Sequence, residues 1–309
     1  MLLAALTFPN IDPVLIHLGP LAIRWYSLSY IAMLLLGWWL IARMLAEKAL
    51  WTNPPFKGKP PATADDIGDL VVWVTLGVIL GGRIGWVIFY GTILCSVTPD
   101  ATGMCHGLPG EFLTNPIRIV AAWDGGMSFH GGLIGVVVSL LWFARRHKLD
   151  PFKIGDLLAV AAPIGMFLVR IANFINGELW GRPTDVPWAM VFCNEQILRT
   201  YNGICPAGME PRHPSQLYEA GLEGILLFII MQVCLRVLRM HEKPGLLTAV
   251  MFFCYGTFRI IVEFFREPDA PFVGPVTMGQ SLSALMWAAA AFFFWYALMR
   301  KPAPTKRTT

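Results

Sequence analysis

Apolar and polar positions segregate along this chain in blocks the length of whole helices. Apolar stretches fall at roughly 22–42, 68–90, 128–144, 154–175, 217–238, 245–265 and 277–299, each close to the ~20 residues a helix needs to cross a bilayer. The blocks predict an all-α integral membrane protein with about seven transmembrane helices. The connections between them alternate in kind. Some are short and carry Lys or Pro, whereas 91–127 and 176–216 are long and rich in Gly, Pro and Asn. Residues 1–309 therefore read as one polytopic membrane domain, with 91–127 as a loop or arm and 176–216 as a small head between spans 4 and 5. Inside the head, the run Trp188-Ala189-Met190-Val191-Phe192 alternates with the period of a short strand. Gly81 and Gly85, and Gly131 and Gly135, recur at i and i+4, a spacing that lets membrane helices approach closely.

Composition supports this reading: 56% of residues are hydrophobic and 14% charged, an apolar share too high for a soluble domain. Charge then orients the chain. Arg43, Lys48, Lys57 and Lys59 follow the first span, and Arg145, Arg146, Lys148 and Lys153 the third. Arg236, Arg239 and Lys243 follow the fifth, and Arg300, Lys301, Lys306 and Arg307 close the chain. By the positive-inside rule these connections are cytoplasmic, the N-terminus is outside and the C-terminus inside. The net charge of +4 is thereby accounted for by topological anchors, with no call for nucleic acid as a partner. The cysteines show no metal-binding spacing. Cys95 with Cys105, and Cys193 with Cys205, are candidates for local disulfides in the outer connections.

Arginines inside apolar spans are costly, about 2.5–3.5 kcal/mol at a helix centre, and are functional candidates for that reason. Arg83, Arg170 and Arg259 are such residues. Arg259, Glu263 and Arg266 stand at i, i+4 and i+7, predicting one charged stripe along the sixth span, with Glu263 as counter-ion between the arginines. Arg170 and Asn173 reach the same outer depth from the fourth span, and His130 from the start of the third. Arg24 and Tyr26 open the first span there, and Glu219 and Glu223 open the fifth. Guanidinium forks suit bidentate phosphate recognition, so a phospholipid headgroup is the natural ligand of this layer. His130 beside it supplies a group able to take a proton near neutral pH.

Several of these segments resemble a known family. The run Arg170-Ile171-Ala172-Asn173-Phe174-Ile175-Asn176-Gly177-Glu178-Leu179-Trp180-Gly181-Arg182 is similar to the signature of bacterial prolipoprotein diacylglyceryl transferases. Similar blocks are Ile23-Arg24-Trp25-Tyr26, Asp124 through Gly135, Arg212-His213-Pro214-Ser215-Gln216-Leu217-Tyr218-Glu219, and Tyr255 through Asp269. One departure is Val169, where the family usually carries glycine. The resemblance implies a multi-pass enzyme of the bacterial inner membrane with its active site facing the periplasm. Such an enzyme transfers diacylglyceryl from phosphatidylglycerol to the lipobox cysteine of a preprolipoprotein signal peptide, with no metal and no organic cofactor. On that reading His130, Arg170 and Arg259 are the catalytic candidates. Tyr26, Asn173, Glu178, Gly181, Glu263 and Arg266 are the substrate-binding ones. A transporter or flippase for an anionic phospholipid is the rival use of the same arginine layer.

Overall fold

The computed structural model describes residues 5–19, 21–94, 112, 114–121, 126–267 and 277–300. Two compact units emerge, one formed by residues 1–60 with 155–309 and the other by 61–154. Both are helical, and the described residues contain helices that match the apolar blocks closely. In chain order these are α1 (Trp25–Ala46), α2 (Ala64–Trp86), α3 (Phe129–Arg146) and α4 (Pro151–Asn176), followed by short elements in the head. The head contains the strand Met190–Val191 and α5 (Glu195–Thr200). After it come α6 (Ser215–Arg236), α7 (Leu246–Glu263) and α8 (Met278–Met299).

Among the described residues, six helices are long and apolar enough to cross a membrane. The chain is thus a multi-pass membrane protein. The remaining expected span, 128–144, is the 18-residue helix α3. Its length of about 27 Å approaches the thickness of the hydrocarbon core, but His130 and the terminal Arg145 and Arg146 lower its mean hydropathy.

Helix ends follow local chemistry. Thr63 and Asp66 form a reciprocal capping box on α2, and Thr277 and Gln280 do the same on α8. Ser128 caps α3 by accepting from Gly131 N–H. At the end of α4, Gly177 adopts φ +66°, Gly177 N–H bonds to Phe174 C=O at 2.9 Å, and Glu178 N–H bonds to Asn173 C=O at 3.2 Å. That pair of bonds is a Schellman closure, which needs a left-handed residue and so favours glycine.

In the 61–154 unit, α2 and α3 pack antiparallel. Gly85 meets Gly131, Gly81 lies against Gly131 and Gly135, and Gly77 lies against Gly135, so close that a methyl at any of these contacts would enter backbone. Arg83 is buried in this unit. It donates to the carbonyls of Arg118, Ile119 and Gly126 and stacks 4.9 Å over Trp86. Arg83, a functional candidate by its place in an apolar span, thus holds residues that lead into α3 through backbone acceptors.

In the other unit, the strand Leu6–Thr7 pairs in parallel with Met190–Val191, which joins the N-terminal segment to the head. A hairpin of Val14–Leu18 and Leu21–Arg24 then leads directly into α1. Of the alternating run 188–192, only Met190–Val191 is strand. Cys193 and Cys205 are disulfide-bonded, with Cα atoms 5.5 Å apart. Cys95 and Cys105 lie outside the described residues, as do most of 91–127 and the ends of two family-like blocks, Asp124 and Asp269. At the opposite end of the same unit, Glu47 takes both carboxylate contacts from Arg236 at 2.7 and 2.6 Å. Arg239 there bonds Glu242 and the Ala49 and Leu50 carbonyls.

Candidate functional site

One charged cluster occupies the end of the larger unit where α4 and α7 finish and α6 begins. Glu219 is its centre. Glu219 Oε2 lies 3.1 Å from Arg170 Nε, while Oε1 accepts from Arg259 Nη1 at 3.0 Å and from Arg266 Nη1 at 2.9 Å. Glu223, one turn on, lies 3.4 Å from Arg170 Nη2, and Glu263 lies 3.0 Å from Arg259 Nη2. The helix carrying Glu219 and Glu223 widens into a π-helical segment at Ala220–Leu226, an irregularity found often at functional positions. Tyr255, on α7, is within electrostatic reach of Arg170, Arg259, Glu219 and Glu223.

Burial gives the cluster a direction. The Glu219 and Glu223 side chains are 0% exposed and Glu263 4%, whereas Arg170 and Arg259 keep 16% and 15%. A buried carboxylate layer therefore supports two guanidiniums that still reach the surface. The arrangement answers an energetic problem: an unpaired buried carboxylate costs several kcal/mol, and each close arginine offsets about 4 kcal/mol at an effective dielectric near 20. It also adds two carboxylates to the one counter-ion expected of Glu263. Arg170, Arg259 and Arg266 are matched by Glu219, Glu223 and Glu263. What the protein leaves open includes Nη1 of Arg170 and Nε of Arg259, neither of which has a partner among the described residues.

The predicted helical stripe is corrected as well. Arg259 and Glu263 do share a face, but α7 ends at Glu263. The chain then turns, because Arg182 N–H bonds to Phe265 C=O at 2.8 Å and Arg182 Nε to Arg266 C=O at 2.9 Å. Arg266 reaches the cluster from an extended residue bridged to Gly181, and it pairs with Glu219. Glu263 serves Arg259 and sits beside the first turn of α8. A methyl on Gly279 would lie 2.6 Å from its Oε2, and the positive end of a helix favours a carboxylate.

A second group adjoins the same end of α4. Glu178 Oε1 accepts from Asn173 at 2.9 Å and Asn176 at 3.1 Å. Tyr26 lies beside Asn173 and Glu178, with its hydroxyl 3.4 Å from that of Tyr30. The first turn of α6 clamps the loop that holds Glu178: Gln216 donates to Glu178 C=O at 2.6 Å and Ser215 to Leu179 C=O at 2.9 Å. Gly181 is required for packing, since a Cβ there would stand 2.5 Å from Phe265 O and 2.6 Å from His213 Cβ. Nearby, Trp188 donates to Tyr218 at 2.6 Å, and the Tyr218 hydroxyl lies 3.0 Å from His213 Nδ1. Burial lowers the His213 pKa below its usual value.

The structure thus brings Arg170, Arg259, Glu263 and Arg266 into one cluster, and Tyr26, Asn173 and Glu178 into a group beside it. His130 belongs to the 61–154 unit, exposed in the first turn of α3. Glu219, the hub, was visible in the sequence only as one of two acids opening a span.

Comparison with known proteins gives this geometry its family. The family model described as prolipoprotein diacylglyceryl transferase matches residues 13–296. Among similar proteins is one from Caulobacter sp. (strain K31), 46% identical over 307 residues, 96% of each chain. A Rhodospirillum rubrum protein is 46% identical over 97% of each chain. A Brucella anthropi protein is 42% identical over 95% of this chain and 94% of its own. All three carry the name phosphatidylglycerol–prolipoprotein diacylglyceryl transferase.

Proposed function

The chain belongs to the prolipoprotein diacylglyceryl transferase family, and from that premise we propose that it transfers diacylglyceryl from phosphatidylglycerol to the lipobox cysteine of prolipoproteins. The reaction forms a carbon–sulfur bond. The cysteine thiolate attacks the glyceryl carbon esterified to phosphate, the C–O bond breaks with its electrons on oxygen, and glycerol 1-phosphate leaves. Two demands follow: the thiol, with a pKa near 8.5, must lose its proton, and charge growing on the departing phosphate must be held in a dry site.

The observation that carries the reading is the pair of partly exposed guanidiniums, Arg170 and Arg259, fixed by one buried carboxylate, Glu219, at 3.1 and 3.0 Å. Arginine cannot shed its charge and presents a planar donor fork, so such a pair, held in place beforehand, suits the phosphate of a lipid headgroup. Arg266 and Glu263 brace it. Tyr26, Asn173 and Glu178 position the substrates beside it, and Gly181 permits the close passage of the chain that carries Arg266. The thiol proton goes to His130 or to a network linked to the arginines. The basic connections support a reading with the N-terminus outside and the C-terminus in the cytoplasm of the bacterial inner membrane. The cluster then faces the periplasm, at the depth of outer-leaflet phosphates.

Purified protein given phosphatidylglycerol and a lipobox peptide is the test. The expected product is a peptide heavier by one diacylglyceryl group on cysteine, with free glycerol phosphate in equal amount. Lipid movement across vesicles without that covalent product would favour the transporter reading instead.

A further inference from the structure

Beside Glu178, and apart from the arginine cluster, lies a cavity of about 380 Å³ within the larger unit. Three pieces of chain wall it: the N-terminal segment around Phe8–Val14 with Arg24, the end of α4, and α5 of the head. We propose that this cavity binds the few residues that follow the acceptor cysteine, holding the polypeptide by its backbone. The assignment rests on the transfer reading above and names where its polypeptide substrate docks.

The lining chemistry selects the ligand. Arg24 and Glu178 contribute one charge of each sign, so the cavity offers no net attraction to a phosphate. Asn176, Gln196 and Thr200 add donors and acceptors in mixture, which suits alternating N–H and C=O groups and not acyl chains. Phe8, Ile11 and Ile197 supply apolar wall for small side chains. Glu178 has one carboxylate oxygen fixed by Asn173 and Asn176; its Oε2 has no hydrogen-bond partner among the described residues.

The walls are also built to stay in place. The Cys193–Cys205 disulfide brackets α5. Asn194 caps α5 by accepting from Ile197 N–H at 2.8 Å, and its amide donates to Pro9 C=O at 3.1 Å, tying two walls together. Under them Phe8, Phe174, Phe192 and Ile197 form a packed apolar cluster. A preformed site loses less freedom on binding. Distance fits as well. Asn176 is six residues beyond Arg170 on α4, a rise of about 9 Å, which an extended polypeptide covers in about three residues. A chain seated in the cavity can therefore present its cysteine at the arginine pair.

The experiment measures binding of a fluorescent lipobox peptide, extended four residues past its cysteine, to the full-length protein in nanodiscs. Thr200→Trp fills the cavity and is expected to weaken binding at least tenfold. Gln196→Ala, a milder change that removes one amide, is expected to weaken it about three- to tenfold. A peptide ending at its cysteine should bind wild type and both variants alike, and KM for phosphatidylglycerol should stay within about twofold, as a tenfold change would need ~1.4 kcal/mol. Equal affinity of all three proteins for the extended peptide would overturn the assignment. So would a rise in KM for the lipid with peptide binding intact, which would put the headgroup there. Cavity-dependent peptide binding without any thioether product from the wild type would leave the cavity standing and sink the transfer reading.

Discussion

Replacing Glu219 by Gln removes a single charge from the point where three arginines meet. Glu219 lies 3.1 Å from Arg170, 3.0 Å from Arg259 and 2.9 Å from Arg266, with its side chain fully buried. Each pair is worth about 4 kcal/mol of attraction at an effective dielectric near 20. Glutamine keeps one acceptor oxygen, and the arginines retain Glu223 and Glu263, so the net loss should resemble that of a broken buried ion pair, about 3–5 kcal/mol. At about 2–4 °C per kcal/mol, thermal unfolding in detergent should shift down by roughly 6–20 °C. Glu47→Gln is the matched control: its partner Arg236 is as close, at 2.6 Å, but the pair is 37% exposed on both sides. An exposed pair contributes about 0–1 kcal/mol, so this variant should unfold within a few degrees of wild type and keep its transfer activity. If the two variants unfold alike, or if Glu219→Gln keeps both stability and activity, the hub role assigned to Glu219 is wrong.

Other outcomes follow from particular contacts. Asp156 accepts from Gly245 N–H, Thr248 N–H and the Thr248 hydroxyl, each at 2.8 Å. Asp156→Ala should therefore cost about 2–4 kcal/mol, read as a lowered denaturation midpoint with KM for both substrates unchanged. Gly181→Ala drives a methyl into the Phe265 carbonyl and His213. About 1–3 kcal/mol of stability should be lost, together with transfer activity, because the same pairing carries Arg266. Burial holds the His213 pKa below its usual value. Below about pH 6.5 the unfolded chain therefore binds the proton more readily than the folded one. The stability present above that pH is lost as pH falls toward the lowered folded value, and a His213→Gln variant should show a flatter unfolding profile from pH 7 to 5.

Much of the helical frame was legible because an apolar block of about 20 residues permits few alternatives to a helix. Arg170 and Arg259 stood out for the same reason: a permanent charge in such a block needs a partner or a purpose. Their partner was harder to see. Glu219 lies 40 residues from Arg259 and 47 from Arg266 in sequence, and nothing local distinguishes it from an acid that merely starts a helix. Arg83 looked equally functional, and it donates to backbone carbonyls, which leave no mark in the order of side chains. The spacing of Arg259, Glu263 and Arg266 predicted a continuous helix. Tertiary pairing with Trp180 and Arg182 ends it, and Pro268 just beyond disfavours its extension. In the head, proline and glycine forecast a loop-rich segment, but the pairing of Met190–Val191 with Leu6–Thr7 joins residues far apart in the chain.

The central claim is that Arg170 and Arg259 grip the phosphate of the donor lipid through their planar forks. The direct measurement is kcat/KM for phosphatidylglycerol, at saturating lipobox peptide, in Arg170→Lys and Arg259→Lys. An ammonium keeps the charge but cannot reproduce the fork, so each variant should fall by about a hundredfold or more while peptide binding persists, a loss of ~2.7 kcal/mol in transition-state stabilisation. Near-wild-type values in both would contradict the account.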